Sequence, residues 1–375
     1  MAEVSAVIFE GGTAAANRIQ EAMINIRKLV VLDNLEKMRN TPDIDRVILC
    51  TSYPDLASEA AEMGVEVDPA GDTDRPFHFG ERLAEVIAAF KLEKVLYLGG
   101  AGAPLITTSD LAWIAGCLRE KENIVIMNNA QSADLVAFSP ASVVHRLELP
   151  SSDNFLGYLL REAGLERVLP ENTPRINFDL DTPTDFLLLS LLPGVGPRAS
   201  IGLKALDWDR SRLLLARETL KKPWVEITLV GRVGAPLMSY LNQELKCRLR
   251  VFSEERGMKA LGREERGEVT SLLGYLVRDI GPERFFRYVA SMSDVAFVDT
   301  RVIFAHLKGK VDEWDRYHSD LGHYDLIRDD LVRRFTRAAV AAPIPVVLGG
   351  HSLVAGGLWL LAEHVLQELS GNKQD

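Results

Sequence analysis

Short apolar runs alternate with longer amphipathic stretches along the first half of the chain. Residues 4–9 (VSAVIF), 47–51 (VILCT), 65–67 (VEV), 95–98 (VLYL), 123–127 (NIVIM) and 135–138 (LVAF) have the length and β-branched content of buried strands. Between them, residues 14–39, 56–63, 79–90, the stretch from 111 and 155–163 carry helical spacing. Strand and helix in alternation predict βαβ units and a mostly parallel sheet flanked by helices. A Gly- and Pro-dense run at 192–200 (LPGVGPRAS) then reads as a boundary, and the alternation restarts. Strands are expected over 225–230, 249–252, 295–298 and 345–348, with helices over 209–221, 269–278, 283–290, 325–342 and from 352. The expected organisation is a first α/β domain over 1–195, a linker and helix over 196–224, and a second, smaller α/β domain over 225–375.

Chemistry concentrates where strands end. The stretch 94–111 (KVLYLGGAGAPLITTSDL) predicts a strand, a glycine corner containing Gly99, Gly100 and Gly102, and a helix opened by Ser109 and Asp110. Crevices outside the carboxyl ends of strands are where open α/β sheets hold ligands. After the first strand, Gly11, Gly12 and Thr13 either present backbone N–H groups to a phosphate or make an ordinary turn. Asn128 and Asn129 follow the strand ending at Met127, where two amides either read a base or sugar or shape a turn. His78 precedes the helix over 79–90 as a capping or ligand-contact residue. In RINFDLDTPTDF (175–186), Asp179 and Asp181 alternate with Leu180, so an extended strand would turn both carboxylates to one side and let them share Mg²⁺. The competing reading makes Thr182, Pro183 and Asp185 a helix-start box, which leaves Asp179 unexplained.

Three of these pieces together, over 4–13, 95–105 and 178–185, resemble GT-A-type nucleotidyltransferases of the MobA-like and CofC-like group. The resemblance implies a GT-A/Rossmann-like sheet, Mg²⁺ as cofactor, a nucleotide or sugar-nucleotide ligand, and transfer of a nucleotidyl group to a small phosphorylated acceptor. In that family a Gly, Asp, small residue, Pro, Leu run carries the metal-binding Asp. Here Gly102 stands at that Asp position, before Ala103, Pro104 and Leu105. The family also uses an Arg and a Lys after the glycine loop to clamp the triphosphate. Arg18, Arg27 and Lys28 are the candidates in this chain. An acidic or amide side chain from the 178–185 region completes the metal site in some members, which assigns Asp179 and Asp181 here. The departures at Gly102 and in the loop support a second reading, a catalytically degenerate binding protein that keeps the fold as a scaffold.

The second half reads as a Rossmann-like domain whose loops gather Arg232, Glu254, Glu255, Arg256, Asp299, Arg301 and His351 at one sheet edge. A third reading therefore places chemistry there, acting on a phosphorylated or carboxylated small molecule. GHSLVAGG is similar to a serine nucleophile elbow, but the fifth position is Val354 rather than Gly, so Ser352 is expected to cap the last helix. His306, Asp312, Asp315, His318, Asp320 and His323 offer metal ligands in number, or else a solvated helix and loop forming a lid over that edge.

Composition narrows the partners. Over 375 residues the net charge is −10 with both signs interspersed, which argues against nucleic acid or an anionic membrane. Cys50, Cys117 and Cys247 are far apart and are expected as reduced thiols. The N-terminus lacks a basic region followed by an apolar core, and the apolar run 352–361 is too short to span a bilayer. A cytoplasmic protein, with homodimerisation possible, is the expectation.

Overall fold

A computed structural model describes residues 2–69, 76–129, 133–170, 174–259 and 261–371. Most of the polar run 72–76 (DTDRP) lies outside them. Contacts divide the chain into two compact units, Met1–Asp179 with Gly196–Gly202, and Leu180–Val195 with Leu203–Asp375. The division differs from a boundary at residue 195. Buried Asp33 accepts from the backbone N–H groups of Arg198 (3.2 Å) and Ala199 (2.9 Å), which ties 196–202 into the first unit. In the second unit Thr184 Oγ1 donates to the Leu348 carbonyl at 2.6 Å, so the segment after residue 180 belongs there.

The first unit holds seven strands: β1 (Val4–Glu10), β2 (Arg46–Thr51), β3 (Glu66–Pro69), β4 (Lys94–Gly99), β5 (Ile124–Met127), β6 (Leu135–Ser139) and β7 (Glu166–Val168). Their order in the sheet is β3-β2-β1-β4-β6-β5-β7. Pairing is parallel except for β6, which runs antiparallel to both β4 and β5. The mostly parallel α/β class is therefore what the chain adopts. Strand β7 has only three residues, ERV, and no apolar run to announce it. Central β1 is buried along nearly its whole length, as a strand covered on both faces must be. One face packs Val7, Val95, Tyr97 and Phe138 against Phe79, Leu83 and Val86 of the helix Phe79–Phe90.

Helix α1 (Arg18–Arg39) starts four residues later than its spacing suggests, because the Asn17 side chain caps it by accepting from the Gln20 N–H at 3.0 Å. Residues 11–16 thereby stay as loop.

The second unit contains β8 (Val225–Gly231), β9 (Cys247–Ser253), β10 (Val295–Asp299) and β11 (Val346–Gly349), all parallel, in the order β11-β10-β8-β9. Val298, Leu348, Phe286, Phe304 and Phe335 lie in its core. No described helix is long and apolar enough to cross a membrane.

Candidate functional site

At the carboxyl ends of β1 and β2 the first unit forms a cleft of about 560 Å³ lined by Thr13, Asn17, Arg18, Asn25, Lys28 and Tyr53, among others. Its floor is the loop left open by the late start of α1. The Gly12 N–H donates to Ser52 Oγ at 3.2 Å, and a Cβ on Gly11 would lie 2.8 Å from that oxygen, so the loop lies close against the end of β2. Of the three basic candidates, two reach the cleft. Arg18 is exposed and has no ion-pair partner among the described residues. Lys28 lies 4.3 Å over the Tyr53 ring and 2.7 Å from the exposed carboxylate of Asp55. Arg27 turns inward instead and pairs with buried Glu10 through Nε (3.1 Å) and Nη2 (2.9 Å). Burial and nearby Glu10 push the Tyr53 phenol up, so it stays a hydroxyl donor at neutral pH. Glu21 adds one negative charge to the lining.

The glycine corner after β4 packs around this ion pair. Gly100 has φ +46°, and a Cβ there would fall 2.2 Å from Glu10 Oε2. Gly102 donates to the Gly99 carbonyl at 2.8 Å, and a Cβ on Gly102 would come within 2.9 Å of that oxygen. The tight turn leaves little room for an aspartate at 102. Gly102→Asp is accordingly expected to destabilise the first unit by about 1–3 kcal/mol, measured by chemical denaturation.

Carboxylates do approach this corner from elsewhere in the chain. Asp134, immediately before β6, has its Cβ 3.4 Å from where a Gly102 Cβ would be. Asp153 Oδ2 accepts from the Tyr97 hydroxyl at 3.1 Å and lies 2.9 Å from where a Gly99 Cβ would be. Burial, with Asp153 and Asp134 adding to it, pushes the Tyr97 phenol well up. Neither carboxylate was singled out from sequence. Asp134 sits in a polar stretch beside a strand, and only the antiparallel return of β6 brings it to β4.

Other candidates fare differently. Asn128 spends its amide inside the fold, donating to the Ile176 carbonyl (2.9 Å) and accepting from the Leu135 N–H (3.2 Å), while Asn129 beside it is half-buried. Asp179 and Asp181 do not share a strand. The run is irregular, Asp179 is the last residue of the first unit, and Asp181 belongs to the second. The helix-start box accounts for the remainder: Asp185 accepts from the Thr182 N–H (2.7 Å) and hydroxyl (2.8 Å) ahead of the helix Pro183–Leu189. His78 caps Phe79–Phe90 by accepting from the Glu81 N–H at 3.3 Å.

In the second unit, the polar set at the sheet edge is mostly paired internally. Arg232 donates to Asp299 from Nε (2.6 Å) and Nη2 (3.1 Å), and Arg301 forks onto Asp320 at 2.8 and 2.6 Å. All four side chains are buried. Burial would raise the Asp299 carboxyl, but Arg232, with His351 and Arg301, outweighs it and holds the group below its ordinary range. Arg301 is thus a structural cation. Asp312 caps the helix Glu313–Asp320, Asp315 accepts from the Arg328 and Asp329 N–H groups, and His306 Nδ1 accepts from the Ser271 N–H at 3.3 Å. His318 and His323 face each other with Nδ1 atoms 3.4 Å apart. No group of three or more His, Cys, Asp or Glu side chains is placed to hold a metal among the described residues. Ser352 is buried in a short 3₁₀ turn, and the last helix starts at Gly356 rather than being capped by Ser352.

Burial and Arg232 push His351 down to about 4. The unfolded chain takes up this proton near pH 6.5 while the folded state refuses it, so stability is complete above that pH and falls as pH drops toward 4. The loss is expected to be on the order of 3 kcal/mol. Denaturation curves at pH 7.5 and 5 should show about 2 kcal/mol of it, reduced in His351→Gln.

No protein-family model matches the chain, and no curated protein does. Solved structures are similar to about half of it. A nucleotidyl transferase from Methanothermobacter thermautotroptrophicus is 16% identical, covering 50% of this chain and 95% of its own, with a TM-score of 0.39. A cytidylyltransferase from Leptospira borgpetersenii serovar Hardjo-bovis is 15% identical over 50% of this chain and 85% of its own, at a TM-score of 0.38. The 4-diphosphocytidyl-2C-methyl-D-erythritol synthase from Anaerococcus prevotii is 12% identical over 49% and 92%, at 0.34.

Proposed function

We propose that the first unit binds a nucleoside triphosphate and that the protein transfers its nucleotidyl group to a small phosphorylated acceptor. The observation that carries this reading is the cleft at the strand ends, where the 11–16 loop meets Arg18, Lys28 and the Tyr53 hydroxyl. A triphosphate there exchanges the exposed Asp55 for its own oxygens on Lys28 and gains Arg18 as a second cation. Charge-assisted contacts of this kind are the stronger class of hydrogen bond. An acceptor phosphate oxygen attacks the α-phosphorus, its new P–O bond replacing the bond to the leaving pyrophosphate. This chain contributes positioning and charge neutralisation.

The residues at the glycine corner suit the Mg²⁺ that the resemblance implies. Gly99 and Gly102 carry no side chain, which lets Asp153 and Asp134 approach the corner closely, and two carboxylates with water and phosphate oxygens are an ordinary Mg²⁺ environment. We assign Asp134 and Asp153 as its holders in place of the absent aspartate at 102. When bound, the ion would neutralise charge on the phosphates. Asp179 remains a further donor candidate at the end of the same unit. The changed assignment predicts that Asp134→Asn with Asp153→Asn abolishes Mn²⁺ binding, read by electron paramagnetic resonance, while circular dichroism stays unchanged. Equal Mn²⁺ binding in that variant would refute it.

Pyrophosphate release from a panel of triphosphates and phosphorylated acceptors tests the transfer itself. Gly102 favours a second reading, a scaffold that binds nucleotide without turnover. Nucleotide binding with no pyrophosphate release across the panel would select it.

A further inference from the structure

The second unit has a strand-order switch of its own. Strand β8 connects outward to β9 on one side, while β10 and β11 lie on the other, so the crevice of this sheet opens between the ends of β8 and β10. Gly231 at the end of β8 has φ +107°, and a Cβ there would lie 2.5 Å from the Asp299 side chain at the end of β10. The Arg232–Asp299 pair closes the base of the crevice. Two groups at its rim are not consumed by the fold in the same way. Arg256 follows β9, is exposed, and makes no ion pair among the described residues. Its Nη2 reaches within 4.0 Å of where a Gly234 Cβ would be, which places the guanidinium over the loop after β8. His351 follows β11, and its buried Nδ1 has no hydrogen-bond partner. Asp181 supplies a carboxylate within electrostatic range of the imidazole.

Two guanidinium groups and two carboxylates act on His351. Arg232 acts on it more strongly than Asp299, and Arg256 more strongly than Asp181. The two acidic residues directly after β9 are engaged elsewhere: Glu254 accepts from Ser271 Oγ and the Leu272 N–H, and Glu255 pairs with Arg263. A strand-end crevice with an unengaged guanidinium and a neutral imidazole whose buried Nδ1 lacks a partner suits a small oxyanion.

We propose that the carboxyl edge of the second sheet is a separate binding site for a small phosphate ester or carboxylate, anchored by Arg256 and hydrogen-bonded by His351. This site is independent of nucleotide binding in the first unit.

The test uses the full chain labelled with ¹⁵N-histidine, its His351 signals assigned from His351→Gln and titrated with pyrophosphate and, separately, with succinate. Movement of the His351 signals is expected. In Arg256→Ala, the apparent affinity should fall about tenfold or more with an unchanged melting temperature. Movement with pyrophosphate alone identifies the phosphate class, and movement with succinate extends the site to carboxylates. His351 signals that stay still with both probes, or that move identically in Arg256→Ala, overturn the proposal.

Discussion

Asp299→Ala is expected to cost the second unit about 3–5 kcal/mol, among the largest effects of any single substitution in the chain. The carboxylate is fully buried and accepts from Arg232 Nε, Nη2 and backbone N–H, and from the Arg301 N–H. Removing it leaves the Arg232 guanidinium buried without a counter-ion, and stranding a buried charge costs far more than a buried pair contributes. The double variant Arg232→Met with Asp299→Leu removes both charges and should recover most of the loss. Urea denaturation of the three proteins checks this. A midpoint for Asp299→Ala close to that of the unsubstituted chain would show that the pair does not support the sheet edge.

Arg18→Ala combined with Lys28→Ala is expected to remove nucleotide binding while leaving the fold intact. Arg18 is exposed, and the salt bridge from Lys28 to Asp55 is at the surface, where such pairs contribute about 0–1 kcal/mol to stability. Each cation is expected to contribute about 1.5–3 kcal/mol to holding a triphosphate, roughly ten- to a hundredfold in affinity. The two together would carry binding beyond measurable range. Arg27→Ala should behave differently: it leaves Glu10 buried and unpaired under Gly100, and so should lower stability as well as affinity. Comparing the variants by calorimetric titration and thermal melting separates a phosphate-binding cation from a structural one.

All strands but β7 were legible because buried parallel strands must be continuously apolar, as in residues 4–9 and 295–298. Helix limits were less legible. A single Asn17 cap outweighed the helical spacing of residues 14–17, and the loop it preserves now lines the cleft. Glycine positions marked close backbone approaches, since Gly11, Gly100 and Gly102 all sit where a side chain would collide with a neighbour. What a sequence pattern could not convey was which distant residues meet there. Asp134 and Asp153 reach the β4 corner through an antiparallel strand and a loop that follow it in the chain, whereas Asp179 and Asp181 look like a pair only on the assumption of a strand that does not form. Arg232, Arg301 and Asp299 stood out by charge, but charge alone does not distinguish a ligand contact from an ion pair buried within the fold.

The most direct measurement is calorimetric titration of the full chain with each of the common nucleoside triphosphates, with and without Mg²⁺, repeated on the Arg18→Ala, Lys28→Ala protein. The account predicts saturable binding of at least one triphosphate, stronger with Mg²⁺, and its loss in the double variant. Binding of no triphosphate at millimolar concentration, or binding that the double variant retains in full, would contradict the placement of a nucleotide in the cleft of the first unit.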